Sequence, residues 1–221
     1  MIKFNYIHHS CFLLETENEK LLFDPFLDGN PKNIQAKDLK PNYILVSHAH
    51  SDHLGSAYEI AKNNNSLIIS TNEIAVEASE NGCNSHGMHI GGTYMFPFGK
   101  VRITPAFHGS GISGGHACGF IVHLEDKVIY FAGDTSLFGD MKLLAELENI
   151  DYSILPIGDN FTMGPKDAEK AVEFLGAKYV IPIHYNTWPI IKQNPLAFKK
   201  DVEEKTKAKV IVLNPGEKLV L

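Results

Sequence analysis

The sequence predicts an α/β fold in which two packed sheets carry helices on their outer faces, a four-layer α/β/β/α sandwich. Short apolar strands recur along the chain, the first half consists mostly of hairpins with helices between strands, and the second half ends in two helix-then-strand units. Many strands with four or five helices fit this layered arrangement. Neither a Pro/Gly/Ser-rich linker nor a short repeat interrupts the 221 residues, so we expect a single domain over residues 1–221.

The first half begins with a predicted hairpin. Cys11–Thr16 and Lys20–Phe23 flank a polar three-residue turn, which is typical of two antiparallel strands. The apolar run Tyr43–Ser47 predicts a short buried strand. The other elements predicted in this half are a helix over Ser56–Lys62, a strand over Leu67–Ser70, a helix from Asn72 to about Glu80 and a strand over Val101–Phe107.

The second half contains a second predicted hairpin, formed by Cys118–Leu124 and Val128–Ala132. Pro165 at the first position and Gly176 after the last position bound a helix that ends near Leu175. The other predicted elements are helices over Asp140–Leu147 and from Asn194 to about Lys207, and strands over Tyr152–Leu155, Tyr179–Ile183, Val210–Leu213 and Lys218–Val220.

Composition excludes several functional classes. The formal net charge is −6, which argues against binding driven by bulk attraction to a phosphate backbone. No apolar run approaches the ~18 residues of a membrane span, and no secretory signal is visible. Cys11, Cys83 and Cys118 are odd in number and form no CxxC pair, so we expect no disulfide framework and a cytoplasmic protein. The eleven histidines, several of them clustered, point to a metal.

The segment His48-Ala49-His50-Ser51-Asp52-His53 follows the strand YILV directly. It offers four metal-ligating side chains within six positions. His48 and His50 are two residues apart, so they point the same way in extended backbone. Imidazole nitrogen and carboxylate oxygen suit Zn²⁺, Mn²⁺, Fe²⁺ or Co²⁺.

Further ligands are expected at other strand ends, because four residues cannot complete a two-metal site. His108 follows the strand VRITPAF, Asp134 follows VIYFAG, and His184 follows YVIPI. Their recurrence at strand ends places all three on one rim of the fold.

These features together resemble the metallo-β-lactamase superfamily, over nearly the whole chain. The segments HHSCFLLE, LLFDPFLDGNP, SHAHSDHLG, GDTSLFGDM and PIHYNTWP are similar to a widespread group of small metal-dependent hydrolases, UPF0173, which has no settled substrate. The group is related to the branch containing the ascorbate-6-phosphate lactonase. The resemblance implies the metallo-β-lactamase fold and a dinuclear site between the sheet edges.

The resemblance also implies a role for each ligand. Asp24 would support the histidine-rich loop by hydrogen bonding. A hydroxide shared by two divalent ions would attack a carbonyl or phosphoryl centre, and Asp52 could orient it or accept its proton. Zinc is the favoured metal, with Mn, Fe, Ni or Co as alternatives. The implied ligands are His48, His50 and His108 for the first ion, Asp52, His53 and His184 for the second, and Asp134 bridging both.

His9 is the other candidate catalytic residue, because in the related group this histidine points toward the site and contacts substrate or transition state. We place it at a strand start and expect its neighbour His8 to point the other way, to the surface. The remaining histidines are expected on loops, on the surface or in structural positions. Tyr185, Asn186 and Trp188 could form a pocket wall, and the role of His116 stays open.

The predicted function is metal-dependent hydrolysis of a small ester, lactone, thioester or phosphodiester. The alternatives are a nuclease or phosphodiesterase acting on nucleic acid, which the charge disfavours, and a metal-binding protein without turnover. An oxygen-reducing di-iron module is disfavoured, because it normally carries HxExDH where this chain has His50. The expected partner is a small molecule, with no membrane, and the sequence leaves a homo-oligomer open.

Overall fold

The computed structural model describes residues 1–221 and contains two seven-stranded sheets. The strands of the first sheet are β1 Lys3–His8, β2 Cys11–Glu15, β3 Lys20–Phe23, β4 Tyr43–Leu45, β5 Leu67–Thr71, β6 Asn84–Met88 and β14 Lys218–Val220. The strands of the second are β7 Thr93–Phe96, β8 Gly99–Pro105, β9 Cys118–Leu124, β10 Lys127–Phe131, β11 Tyr152–Pro156, β12 Tyr179–Ile183 and β13 Lys209–Val210. Their orders are β14-β1-β2-β3-β4-β5-β6 and β13-β12-β11-β10-β9-β8-β7.

The four-layer sandwich predicted from the sequence is confirmed. The largest buried cluster lies between the two sheets, where Phe12 of the first sheet meets Phe131 of the second at a ring separation of 5.2 Å. A second apolar cluster joins one pair of helices to the outer face of the first sheet, and a third joins the remaining long helices to the second sheet. The helices are α1 Ser51–Leu54, α2 Ala57–Asn64, α3 Asn72–Glu80, α4 Met141–Leu147, α5 Pro165–Leu175 and α6 Pro195–Lys205, with short 3₁₀ turns at Ala36–Asp38 and Pro189–Ile191.

Parallel strand pairs decide where functional side chains gather. In the first sheet β3, β4, β5 and β6 run parallel, and in the second β10, β11, β12 and β13 do so. The carboxyl ends of parallel strands lie at one edge of their sheet, so the loops that follow them meet there. The loops after β3, β4, β10 and β12 carry Asp24, the histidine-rich segment, Asp134 and His184.

The structure adds strands that sequence patterns did not indicate. His86, one of the remaining histidines, lies within β6, which pairs in parallel with β5. The sequence of β6, NSHGM, has few residues that favour strands, so tertiary pairing rather than intrinsic preference forms it. β7 and β1 were likewise not predicted as strands.

The expectation that His8 lies at the surface is wrong. His8 is buried, its Nε2 lies 3.0 Å from the carbonyl oxygen of Phe26, and its ring stacks on the Phe26 ring. The side chain is covered because the loop after β3 folds over the end of β1.

The three cysteines are free and buried. None of the helices is both long enough and apolar enough to traverse a bilayer.

Glu148, just beyond α4, is a buried carboxylate that contacts a lysine, an arginine and a histidine. It lies 3.2 Å from Lys100 Nζ, 3.2 Å from Arg102 Nε and 2.7 Å from His123 Nε2, which ties the end of α4 to β8 and β9. Burial alone would raise the pKa of Glu148, but the hydrogen bonds from Lys100 and His123 outweigh burial and lower it.

We expect Glu148→Gln to reduce the free energy of unfolding at pH 7 by about 1–2 kcal/mol, because these partners lose a charged acceptor but stay partly hydrated. The difference should shrink as the pH falls below about 4.5, since a lowered pKa stabilises the fold only while the carboxylate is ionised. Urea unfolding at several pH values measures it. Glu146→Gln, at an exposed position of α4, is the matched control and should change little.

Candidate metal centre

Three histidines form the first cluster of possible ligands. His48 follows β4, His50 precedes α1, and His108 follows β8. His48 Nε2 and His50 Nδ1 are 3.0 Å apart, and the ring centroids of the three residues are separated by 4.6 to 5.1 Å. Their donor nitrogens all lie within 4.8 Å of one another, which is the spacing of groups that can bind one ion.

A second cluster lies beside the first. Its donor atoms, from His9, Asp52, His53 and His184, also lie within 4.8 Å of one another. Asp52 and His53 come from the single turn of α1, and His184 follows β12. The three residues predicted to bind one ion and the three predicted to bind the other lie in these two groups. A third overlapping group, His48, His53 and Asp134, connects them.

Asp134 lies between the two clusters. Its Oδ2 is 3.1 Å from His184 Nε2, 3.3 Å from His53 Nε2 and 3.6 Å from His108 Nε2. The preceding Gly133 has a φ of +61°, and a Cβ there would lie 2.6 Å from the carbonyl oxygen of Cys118. Only glycine therefore lets the chain turn sharply enough after β10 to bring this carboxylate into both groups.

Asp24 orients histidines of both clusters through hydrogen bonds. It is fully buried, and its Oδ1 accepts a 2.7 Å bond from the Ser47 amide. Its Oδ2 accepts from Ser47 Oγ at 2.6 Å and from His53 Nδ1 at 2.7 Å. Ser47 Oγ in turn accepts from His48 Nδ1 at 2.9 Å. With both Nδ1 atoms donating, His48 and His53 present the lone pairs of their Nε2 atoms to the site.

The donor set fits divalent metal ions. His53 Nε2 and Asp134 Oδ1 are buried and have no hydrogen-bond partner within the protein. Buried polar atoms without partners are costly, so their presence at the meeting point of six imidazoles and two carboxylates indicates a ligand that the protein itself does not supply. Neutral imidazoles with carboxylates suit Zn²⁺ and other borderline divalent ions.

The charge states of the cluster are coupled. Burial opposes the ionisation of Asp134, but the neighbouring His53 and His184 hold its pKa well below the usual range. Burial also opposes the protonation of His53, yet the carboxylates of Asp134 and Asp24 raise its pKa well above the usual range. Burial and the nearby histidines lower the pKa of His48. The carboxylates of Asp134 and Asp24 thus favour positive charge on the His53 ring that lies between them.

Three residues of the site have left-handed backbone. His9 has a φ of 55°, Asp24 of 38° and His184 of 53°. This conformation costs a residue other than glycine about 1–3 kcal/mol, and it persists where the surrounding structure enforces it, often at functional sites. In each case it turns the chain at a strand end, so that the side chain faces the cluster.

His9 occupies a different place from the one expected. It lies in the two-residue turn between β1 and β2 rather than at a strand start, and it is only 1% exposed. Its Nε2 is 3.3 Å from Asp52 Oδ2, its Nδ1 is 2.8 Å from Thr187 Oγ1, and Trp188 packs against its ring. Burial lowers the pKa of His9 to about 4, although the bond to Asp52 opposes that shift.

The clusters open into a cavity of about 480 Å³. Trp188, which the sequence indicated as part of a pocket wall, lines it, and so does Phe161. Phe26 and Ile190 also line it, and no sequence signal indicated them. The full lining is Phe26, His50, Ser51, Asp52, His108, Asp134, Phe161, His184, Trp188 and Ile190.

Other residues considered from the sequence lie elsewhere. His116 is exposed on the loop between β8 and β9, away from the cavity lining. Tyr185 and Asn186 do not line the cavity either, and Asn186 Oδ1 accepts the amide of Gln193 at 2.8 Å. Ser47 and Thr187, which hydrogen-bond to His48 and His9 of the clusters, were missed because a lone hydroxyl carries no sequence signal.

Comparisons with known proteins identify the family to which the chain belongs. A model of the beta-lactamase superfamily domain matches residues 3–184. The chain is 55% identical over 219 residues to a UPF0173 metal-dependent hydrolase of Natranaerobius thermophilus, with 99% of each chain covered. It is 50% identical over 207 residues to the UPF0173 metal-dependent hydrolase YtkL of Bacillus subtilis, covering 89% of this chain and 91% of that one.

Among solved structures, Igni18, a metallo hydrolase from Ignicoccus hospitalis, superposes with a TM-score of 0.91 at 34% identity, covering 99% of this chain and 97% of that one. The family assignment follows from the fold, the candidate ligand cluster and the near-complete coverage of the chain by these relatives. The chain is a metal-dependent hydrolase that belongs to the UPF0173 group of the β-lactamase superfamily.

Proposed function

We propose that the protein hydrolyses a small, uncharged carbonyl substrate, an ester, lactone or thioester, with two divalent metal ions, zinc in the first place. The observation that carries the proposal is the composition of the cavity wall. It contains histidines, two carboxylates and apolar side chains, but no lysine or arginine. Sites that bind phosphate esters usually supply such cations.

The same observation weighs against nucleic acid and phosphodiesters. A nuclease needs a cationic track for the backbone, and this chain has a net charge of −6 and a small cavity without basic residues. Since the relatives are hydrolases, a metal-binding protein without turnover is the weaker alternative.

Each residue has a defined part in the proposed reaction. His48, His50 and His108 would hold one ion, Asp52, His53 and His184 the other, and Asp134 would contact both. Such ions supply a hydroxide at neutral pH and polarise the carbonyl group. Asp52, which is partly exposed in the cavity wall, would accept a hydrogen bond from the attacking hydroxide and orient it. His9 donates its Nε2–H to Asp52 and thereby fixes the orientation of that carboxylate.

The test combines metal analysis with a substrate panel. Protein purified after metal-replete expression should contain about two divalent ions per chain and hydrolyse aryl esters, lactones or thioesters faster than bis(p-nitrophenyl) phosphate. His50→Ala should lose both metal and activity, and His116→Ala, at an exposed loop position, serves as the control. Faster cleavage of the phosphodiester than of every carbonyl substrate would overturn the proposal.

The positioning role of His9 predicts a graded effect at Thr187. Thr187→Val removes the hydroxyl that holds His9 Nδ1, so we expect kcat to fall about 3- to 10-fold, the equivalent of one hydrogen bond, with little change in bound metal. Thr187→Ser keeps the hydroxyl and should restore most of kcat. Equal losses in the two variants would contradict the role of the hydrogen bond.

A further inference from the structure

Four apolar side chains line the cavity together with the residues of the ligand clusters. We call Phe26, Phe161, Trp188 and Ile190 the apolar wall. Three of its members are strongly exposed for large apolar residues, with 51% of Phe161, 37% of Trp188 and 58% of Ile190 accessible. Contiguous exposed apolar surface next to polar groups marks a binding site in many proteins.

The apolar wall is held in place by its surroundings. Phe161 follows Asp159 and Asn160, which both have left-handed backbone, with φ values of 64° and 50°. Gln193 Nε2 donates to the carbonyl of Gly158 at 3.0 Å, which ties the Phe161 loop to the segment after β12. These contacts position the backbone that carries Phe161, and a preorganised surface loses less entropy when a ligand binds.

The Trp188 ring is fixed from two sides. Its centroid lies 4.9 Å from that of His9 and 6.1 Å from that of Phe26. The indole therefore packs on the buried histidine that contacts Asp52, and its free face is turned to the cavity. A group lying on the apolar wall would be adjacent to the carboxylate and histidines that line the same cavity.

We infer that the apolar wall binds an unbranched or aromatic hydrocarbon group attached to the scissile carbonyl of the substrate. This inference rests on the proposed function, because it places the carbonyl at the ligand clusters of the same cavity. The volume of about 480 Å³ is that of a small-molecule site and does not accommodate a folded partner. The occupant is thus a substrate chain rather than a protein surface.

Trp188 provides the measurement, because it is the only tryptophan of the chain. The metal-loaded protein is titrated with straight-chain hydroxamates from acetyl to octanoyl while the emission of Trp188 is recorded. If each added methylene is buried on the apolar wall, Kd should fall about fourfold per CH₂ until the chain passes its end. Ile190→Ser and Phe161→Ser should each flatten this dependence to less than twofold per CH₂.

Leu147→Ser is the matched control. Leu147 is 61% exposed on α4 and does not line the cavity, so its replacement should leave the chain-length dependence unchanged. A Kd independent of chain length in the parent protein would overturn the inference while leaving ester hydrolysis intact. If binding depends on chain length but no carbonyl substrate is hydrolysed, the apolar wall would still be a binding site for hydrocarbon chains, whereas the proposed function would be rejected. If the protein is a dimer in sizing experiments and Trp188 in that dimer is inaccessible to quenchers, the apolar wall would be a contact with a second copy of the chain. This result would also overturn the inference.

Discussion

Asp134→Asn should lose metal from both clusters and reduce hydrolysis by more than about 100-fold. Replacing residues that only support metal ligands costs 10- to 100-fold in affinity or activity, so the loss of a carboxylate shared by both clusters should exceed that range. Its Oδ2 lies within 3.6 Å of the Nε2 atoms of His53, His108 and His184. An amide at this position removes the negative charge that two cations would share.

The measurement is metal content per chain, determined on dialysed protein, together with the rate on the best substrate of the panel. Asp140→Asn makes the same chemical change at an exposed position before α4, where the side chain makes no capping bond, and should alter neither quantity. Circular dichroism shows whether each variant is folded. Full metal content in a folded Asp134→Asn variant would refute the shared-ligand role.

Asp24→Asn should weaken both clusters, whereas Ser47→Ala should weaken only one. Asp24 accepts directly from His53 and, through Ser47 Oγ, orients His48. An asparagine amide would direct its NH₂ group toward one of these donors. We expect a 10- to 100-fold loss of affinity for both ions and a free energy of unfolding lower by about 1–3 kcal/mol. Asparagine tolerates left-handed backbone, so the φ of 38° does not add to the loss.

Ser47→Ala breaks the path to His48 but leaves the bond between Asp24 and His53. Competition with a chromophoric chelator should therefore show one weakened site and one near-normal site. Ser66→Ala is the control, because Ser66 is equally buried and donates one 2.6 Å bond to the carbonyl of Pro41, far from the ligands. It should reduce stability by about 1 kcal/mol without changing metal affinity. Equal weakening of both sites in Ser47→Ala would contradict this division.

The candidate ligand cluster could be predicted because its residues follow strands that the apolar pattern marks. His48, His108, Asp134 and His184 each come within a few residues of a strand end, and strand ends of one sheet edge converge. Residue spacing alone did not assign the ligands to two separate ions. That division came from the resemblance to known proteins. In the structure the donor atoms form three overlapping groups, the third of which joins His48, His53 and Asp134, so the division into two ion sites stays a prediction.

The surroundings of the cluster could not be predicted, since they depend on contacts distant in sequence. Thr187 and His9 are separated by 178 positions, and nothing in either segment indicates that they meet. The alternation of side chains along a strand also fails at His9, because this residue lies in a turn with a φ of 55°. The apolar wall combines residues from three separate loops, and an apolar residue in a loop does not by itself reveal whether it packs or binds.

The left-handed turns at His9, Asp24 and His184 affect how mutational scans of this enzyme should be interpreted. An alanine at any of these positions removes a functional group. It also leaves a residue that has a Cβ, but no polar side chain to compensate for it, in an unfavourable left-handed conformation. Lower yield or stability would then be mistaken for lost chemistry. Glycine and asparagine tolerate such backbone better, so paired glycine and alanine variants can separate the cost of folding from the cost of function. For the same reason, transferring the six histidines and two aspartates of the clusters to another scaffold would not reproduce the candidate metal centre unless these left-handed turns were transferred as well.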